Sequence, residues 1–156
     1  MTVTRIKQQP LRLSGEGKSG VRTQFGALCW RYHKDTVQVL LITSRRRKRW
    51  IIPKGWPVDG ATACAAAETE AWEEAGVQGK AAPVCLGIYS YTKMIDRSET
   101  LPCVVAVFPV RVRAIRDDFP EAGERRRKWF TLSKAANAVA EPELAAMLAA
   151  FNPKLY

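Results

Sequence analysis

Residues 55–77, GWPVDGATACAAAETEAWEEAGV, constrain this chain more than any other stretch. A turn at Pro53, Lys54 and Gly55 leads into a run of helix formers that carries Glu70, Glu73 and Glu74 near its end and stops at Gly76. At 3.6 residues per turn these acids stand at i, i+3 and i+4, so the spacing predicts a helix with all three on one face. Like charges so placed destabilise an isolated helix by roughly 0.2–0.5 kcal/mol per pair. No Lys or Arg lies within the stretch to offset them. An acidic face of this kind either meets open water or holds a hard cation, because Mg2+ and Ca2+ take carboxylate oxygens. The spacing alone leaves both readings open.

The flanks favour the cation. Residues 50–55, WIIPKG, read as a short apolar strand that breaks at Pro53 and turns at Gly55, which brings a backbone carbonyl and Lys54 beside the acids. Together these residues resemble a Nudix box, G-x5-E-x7-R-E-U-x-E-E-x-G-U with U aliphatic. Gly55, Glu70, Ala71, Glu73, Glu74, Gly76 and Val77 fall in register, with Ala71 a small occupant of its position. Ala61 stands where the first Glu is expected and Thr69 where the Arg is expected. In that family the Arg typically pairs with the catalytic carboxylates. Either another basic residue takes its place here, or the site is slowed.

The resemblance implies an α+β fold, the Nudix-type three-layer α/β/α sandwich with a mixed β-sheet. It also implies metal-dependent pyrophosphate hydrolysis, with Glu70, Glu73 and Glu74 as catalytic residues. The same acids and the Gly55 carbonyl would hold Mg2+, with Mn2+ as the alternative ion. The general base would be one of these acids, or Glu121 or Glu124 from a distant loop.

The substrate is approached through charge. The chain has 25 Lys and Arg against 15 Asp and Glu, a formal net charge of +10. Such a field attracts polyanions: nucleic acid, an acidic membrane surface or a polyphosphorylated small molecule. The basic loop SRRRKR at residues 44–49 directly precedes the box. Arginine suits phosphate because its planar fork meets two oxygens at once. Arg45, Arg49 and Lys54, with Arg22, Lys93 and Arg127, are therefore the expected substrate contacts.

The order SRRRKRWIIPKGWP, box, LGIYSYTK, ERRRKWF is similar to that of the diphosphoinositol-polyphosphate and diadenosine-polyphosphate group of Nudix hydrolases. Those two compound classes are the favoured substrates. A dinucleotide would want an aromatic platform, for which Trp56 is the candidate, whereas an inositol polyphosphate would not; Trp50 reads as core packing. Rival readings are an RNA pyrophosphohydrolase trimming a 5′ triphosphate, and a phosphate-ligand-binding module that lost turnover through Ala61 and Thr69. Nucleic acid is the weaker partner reading, because no aromatic-rich strand surface typical of single-strand binders is evident.

At 156 residues and 47% hydrophobic content, the chain is expected to be a polar, flexible arm over residues 1–20 followed by one domain over 21–156. Four cysteines without CxxC spacing and a single histidine argue against zinc. The absence of an apolar leader or spanning run, with thiols expected to be reduced, points to the cytoplasm and no membrane. A monomer and a homodimer are both compatible with the sequence. Strands are expected at residues 22–30, 37–43, 80–91 (interrupted near Gly87), 101–112 and 128–130, with His33 in a solvated turn at 31–35. Helices are expected at 134–139, capped by Ser133, and at 143–151, opened by Pro142, with Leu144, Met147, Leu148 and Phe151 on one face.

Overall fold

The computed structural model describes Pro10 and residues 22–156, so the arm expected at 1–20 otherwise lies outside the described residues. The chain begins with a hairpin of β1 (Thr23–His33) and β2 (Thr36–Thr43). Lys34 and Asp35 close it with positive φ of 48° and 63°, the backbone of a two-residue turn whose twist matches that of its strands. The turn is tighter than the expected 31–35, and His33 is the exposed last residue of β1, paired with Thr36.

Strand β3 (Trp50–Ile51) returns along β2, and β4 (Lys54–Gly55) pairs with the start of β1 through Phe25↔Gly55 and Gly26↔Lys54. The long β7 (Thr100–Ile115) lies parallel to β1, from Thr23↔Val104 to Trp30↔Arg111. Its other edge takes β5 (Val77–Ala81) and β6 (Gly87–Met94), both antiparallel. β8 (Arg127–Thr131) pairs antiparallel with β2 and completes a mixed eight-stranded sheet.

A parallel pair in mid-sheet needs cover on both faces, and alternation along β1 provides for it. Ala27 and Cys29 point into one core with Leu40, Ile42, Phe108 and Val110, beneath α1 (Ala63–Ala75). Leu28 and Trp30 point into the other with Leu41, Val105 and Val107, beneath α2 (Leu132–Ala138) and α3 (Pro142–Ala150). The result is an α+β architecture with helices on both faces, as expected. Helix α1 seats on the sheet through Ala67, Ala71 and Ala75, all fully buried. These small i, i+4 side chains let the helix axis come close, which explains the alanine at the aliphatic position of the box.

Three local expectations are corrected. Residues 80–91 form two strands on the same edge of β7, separated by residues 82–86. Ala82 N donates to Pro109 O at 2.9 Å and Leu86 N to Val107 O at 2.8 Å, while Pro83 has no N–H for the ladder. Helix α2 is capped by Thr131, whose hydroxyl accepts from Lys134 N at 3.4 Å, so Ser133 lies inside its first turn. Phe151 is the C-cap of α3 and not its last turn, although Leu144, Leu148 and Phe151 share the core face as expected. No helix among the described residues is long and apolar enough to cross a membrane.

Candidate active site

Local chemistry places the acidic helix. The Thr62 hydroxyl accepts from Ala65 N at 3.1 Å and starts α1. Gly76 ends it with φ of 67°, its N–H turned back to Ala71 O and Trp72 O. A Cβ at Gly76 would lie 2.6 Å from Arg116 O and the Phe119 ring. Glycine is required there both by its conformation and by its neighbours.

The last turns of α1 lie over β4. The approach is so close that a Cβ on Gly55 would fall 2.1 Å from Glu70 Oε1. Glu74 Oε2 accepts from the Lys54 backbone N–H at 3.4 Å. Burial, then the charges of Glu74, Glu73 and Glu121, push Glu70 up to about 7. Burial also raises Glu74, against the lowering influence of Arg125 and Lys54. Burial and neighbouring acids both disfavour the charged form of Glu70, and a divalent cation would relieve that crowding.

A donor set of carboxylates against Gly55 has the chemistry of a hard-ion site. Glu73 adds its charge to Glu70, and its carbonyl accepts from Glu121 N at 3.0 Å. Among the described residues, however, no three acid, Cys or His side chains converge into a ready-made cation cluster.

A cleft of about 600 Å3 opens beside Glu74, while Glu70, Glu73 and Gly55 are not among its lining residues. Arg45, Arg46, Arg47, Arg49, Lys54, Lys93 and Arg125 line it, with Glu74 and Glu141 the only acidic side chains among its lining residues. Of the expected substrate contacts, Arg45, Arg49, Lys54 and Lys93 reach it. Arg22 and Arg127 are not part of its wall. Arg22 is exposed just before β1, where its carbonyl accepts from Val104 N at 3.0 Å.

Arg127 pairs in register with Ile42, whose side chain belongs to the α1-side core, and so turns toward that helix. It donates to Ala75 O at 2.9 Å, Arg116 O at 2.7 Å and Asp117 at 2.9 Å, closing the C-terminal end of α1. Burial lowers Lys54, against the charges of Glu74 and Glu141, and its ammonium sits 4.8 Å from the Tyr91 ring centroid. Lys93 similarly faces Trp56 at 4.9 Å. Trp50 packs edge-on to Phe130 at 5.0 Å, as a core residue does. A second cavity of about 410 Å3 near Trp30 and Tyr156 has no Asp or Glu side chain in its wall.

Of the two base candidates outside the helix, Glu121 is held by Arg45 and by Arg125 Nε at 3.3 Å, whereas Glu124 is exposed. Sequence reasoning passed over Glu68, which anchors β5 by accepting from Ala81 N at 2.7 Å. It also missed Glu141, whose Oε2 is buried with no hydrogen-bond partner among the described residues. Glu141 directly precedes Pro142 and reads locally as a helix cap. Nothing in its immediate sequence directs it toward the cleft.

Comparison with known proteins agrees with this fold. The NUDIX domain model matches residues 22–151. The chain belongs to the NUDIX family. It is 32% identical over 107 residues to Nudix hydrolase 12, mitochondrial, of Arabidopsis thaliana, a match covering 65% of this chain and 51% of that protein; the chain thus spans about half of that relative. It is 28% identical over 132 residues to diphosphoinositol polyphosphate phosphohydrolase 3-alpha of Mus musculus, covering 83% of this chain and 76% of the relative. Among solved structures, the C. elegans Ap4A hydrolase superposes with a TM-score of 0.62 at 19% identity, over 83% of this chain and 94% of that one.

Proposed function

We propose that this protein hydrolyses a pyrophosphate bond in a polyphosphorylated or nucleoside-diphosphate-linked small molecule, with a diphosphoinositol polyphosphate favoured over a diadenosine polyphosphate. The observation that carries the reading is Glu70 packed against Gly55 and Glu74 held at Lys54 N, with Glu74 in the wall of a cleft rich in arginines and lysines. Glu70, Glu73 and Glu74, with the Gly55 carbonyl, would hold Mg2+ or Mn2+. When bound, the ion supplies charge neutralisation at the phosphoryl oxygens and a water of lowered pKa.

The chain's own residues do the rest. Arg45, Arg49, Lys54 and Lys93 hold the flanking phosphates and fix the scissile bond beside the carboxylates, so positioning and charge stabilisation provide most of the rate. A box carboxylate takes the proton of the attacking water, because Glu121 is already occupied by two guanidinium groups and Glu124 stands in solvent. The inositol compound is favoured because neither Trp50 nor Trp56 lines the cleft, and the Tyr91 face is already met by Lys54. Among the described residues the wall offers charge and no free stacking platform. The cytoplasm, where four cysteines would stay reduced, is the location this reading favours.

The test is phosphate or nucleotide release with Mg2+ across diphosphoinositol phosphates, diadenosine polyphosphates, nucleotide sugars, nucleoside triphosphates and 5′-triphosphorylated RNA. Glu73→Gln and a chelator serve as controls. Turnover highest on diphosphoinositol phosphates and lost in both controls supports the proposal. Preference for RNA would move the substrate to the nucleic-acid reading. Binding without turnover of any compound would leave a phosphate-binding module.

A further inference from the structure

We propose that Arg125, from the loop before β8, is the positioning residue that replaces the missing arginine of the box; the inference rests on the hydrolase reading of the cleft. Thr69 contributes nothing to the carboxylates, because its hydroxyl is turned back along the helix and donates to Ala65 O at 3.1 Å. Arg125 reaches them from the opposite wall. Its Nη2 stands 3.7 Å from Glu74 Oε1 and its Nε 3.3 Å from Glu121 Oε1. Its Nη1 donates to Thr43 O at 3.1 Å.

The side chain is 9% exposed and that of Glu74 10%, so the pair is screened little by water. The backbone beneath it is also held. Arg126 N donates to the Thr43 hydroxyl at 2.9 Å, and Thr43 N to Arg126 O at 3.0 Å. With one arm of the fork fixed by a neutral carbonyl at the end of β2, the other two N–H groups face carboxylates. Such a clamp sets where Glu74 points. Glu121 extends it to the helix, since its own N–H donates to Glu73 O at 3.0 Å. An arginine at position 69 would have worked from within α1; here the same charge arrives across the cleft and is anchored on β2.

The test moves the charge back. Arg125→Ala, Arg125→Lys and the double variant Thr69→Arg with Arg125→Ala are compared with wild type for kcat, KM, Mn2+ affinity and Tm. Mn2+ affinity is read from the paramagnetic resonance signal of the free ion, which needs no turnover. Loss of an outer partner of a metal ligand typically costs about 10–100-fold in affinity or activity. The expected result is a loss of that size in kcat and in Mn2+ affinity for Arg125→Ala, with KM little changed. Arg125→Lys should recover part of it and Thr69→Arg most of it.

A rise in KM at unchanged kcat and Mn2+ affinity would make Arg125 a substrate contact and overturn the proposal. So would a fall in Tm with no recovery in the double variant, which would mark a purely structural role. If wild type turns over no substrate, the hydrolase reading fails, and the Mn2+ measurement still decides whether Arg125 orders the carboxylates.

Discussion

Glu70 and Gly55 set the tolerance of the site. With Glu70 Oε1 where a Gly55 Cβ would stand, Gly55→Ala must push the carboxylate aside. A displacement of about 1 Å at a reacting centre costs on the order of 100-fold. We expect kcat/KM to fall by about that factor while the far-ultraviolet circular dichroism spectrum is retained. Near wild-type activity would mean that the Glu70 position is not used.

The same carboxyl gives a pH dependence. Folded Glu70 titrates near 7 against an ordinary 4.5, so between those values the folded chain binds more protons than the unfolded one. Stability of the metal-free protein therefore falls as pH rises from about 4.5 through 7. Urea midpoints measured across that window with a chelator should show the fall in wild type and a flatter profile in Glu70→Gln. Equal profiles would contradict the paired geometry.

At the scale of the element, α1 was legible because its ends are written locally. Thr62 caps it, Gly76 stops it, and each acts through backbone within a few residues. Thr62→Ala should cost about 1 kcal/mol in urea unfolding, without a change in KM. A change well below that would show the cap is replaced by another group. The break between β5 and β6 was not legible to the same degree, since it depends on register against β7, which lies some thirty residues away in the pairing Ala81↔Val110. Arg127, expected as a substrate contact, lies outside the cleft wall for the same reason. Four basic residues in a row, Arg125 to Lys128, look alike in sequence. Pairing with β2 turns Arg127 to the helix, while Arg125, just before the strand, enters the cleft.

For the whole molecule, the net charge of +10 acquires a direction once the loop at 44–49 forms one wall of the cleft. The basic loop and the box are adjacent in sequence and meet in space, so this part of the site could be read early. Glu141, Tyr91 and Lys93 reach the cleft from distant segments, and only Lys93 was anticipated. Removing exposed wall charges by Arg46→Ala with Arg47→Ala should raise KM several-fold with kcat unchanged. It should also weaken the dependence of KM on ionic strength, because those charges act by attraction that salt screens. A salt dependence identical to wild type would place the substrate elsewhere.

The most direct measurement is single-turnover phosphate release from a diphosphoinositol polyphosphate in saturating Mg2+, wild type against Glu74→Gln, with substrate binding followed in parallel by calorimetry. Hydrolysis at the Glu70–Glu74 pair predicts release in wild type, a loss of at least about 100-fold in the variant, and binding retained in both. Release at the wild-type rate from Glu74→Gln would contradict it.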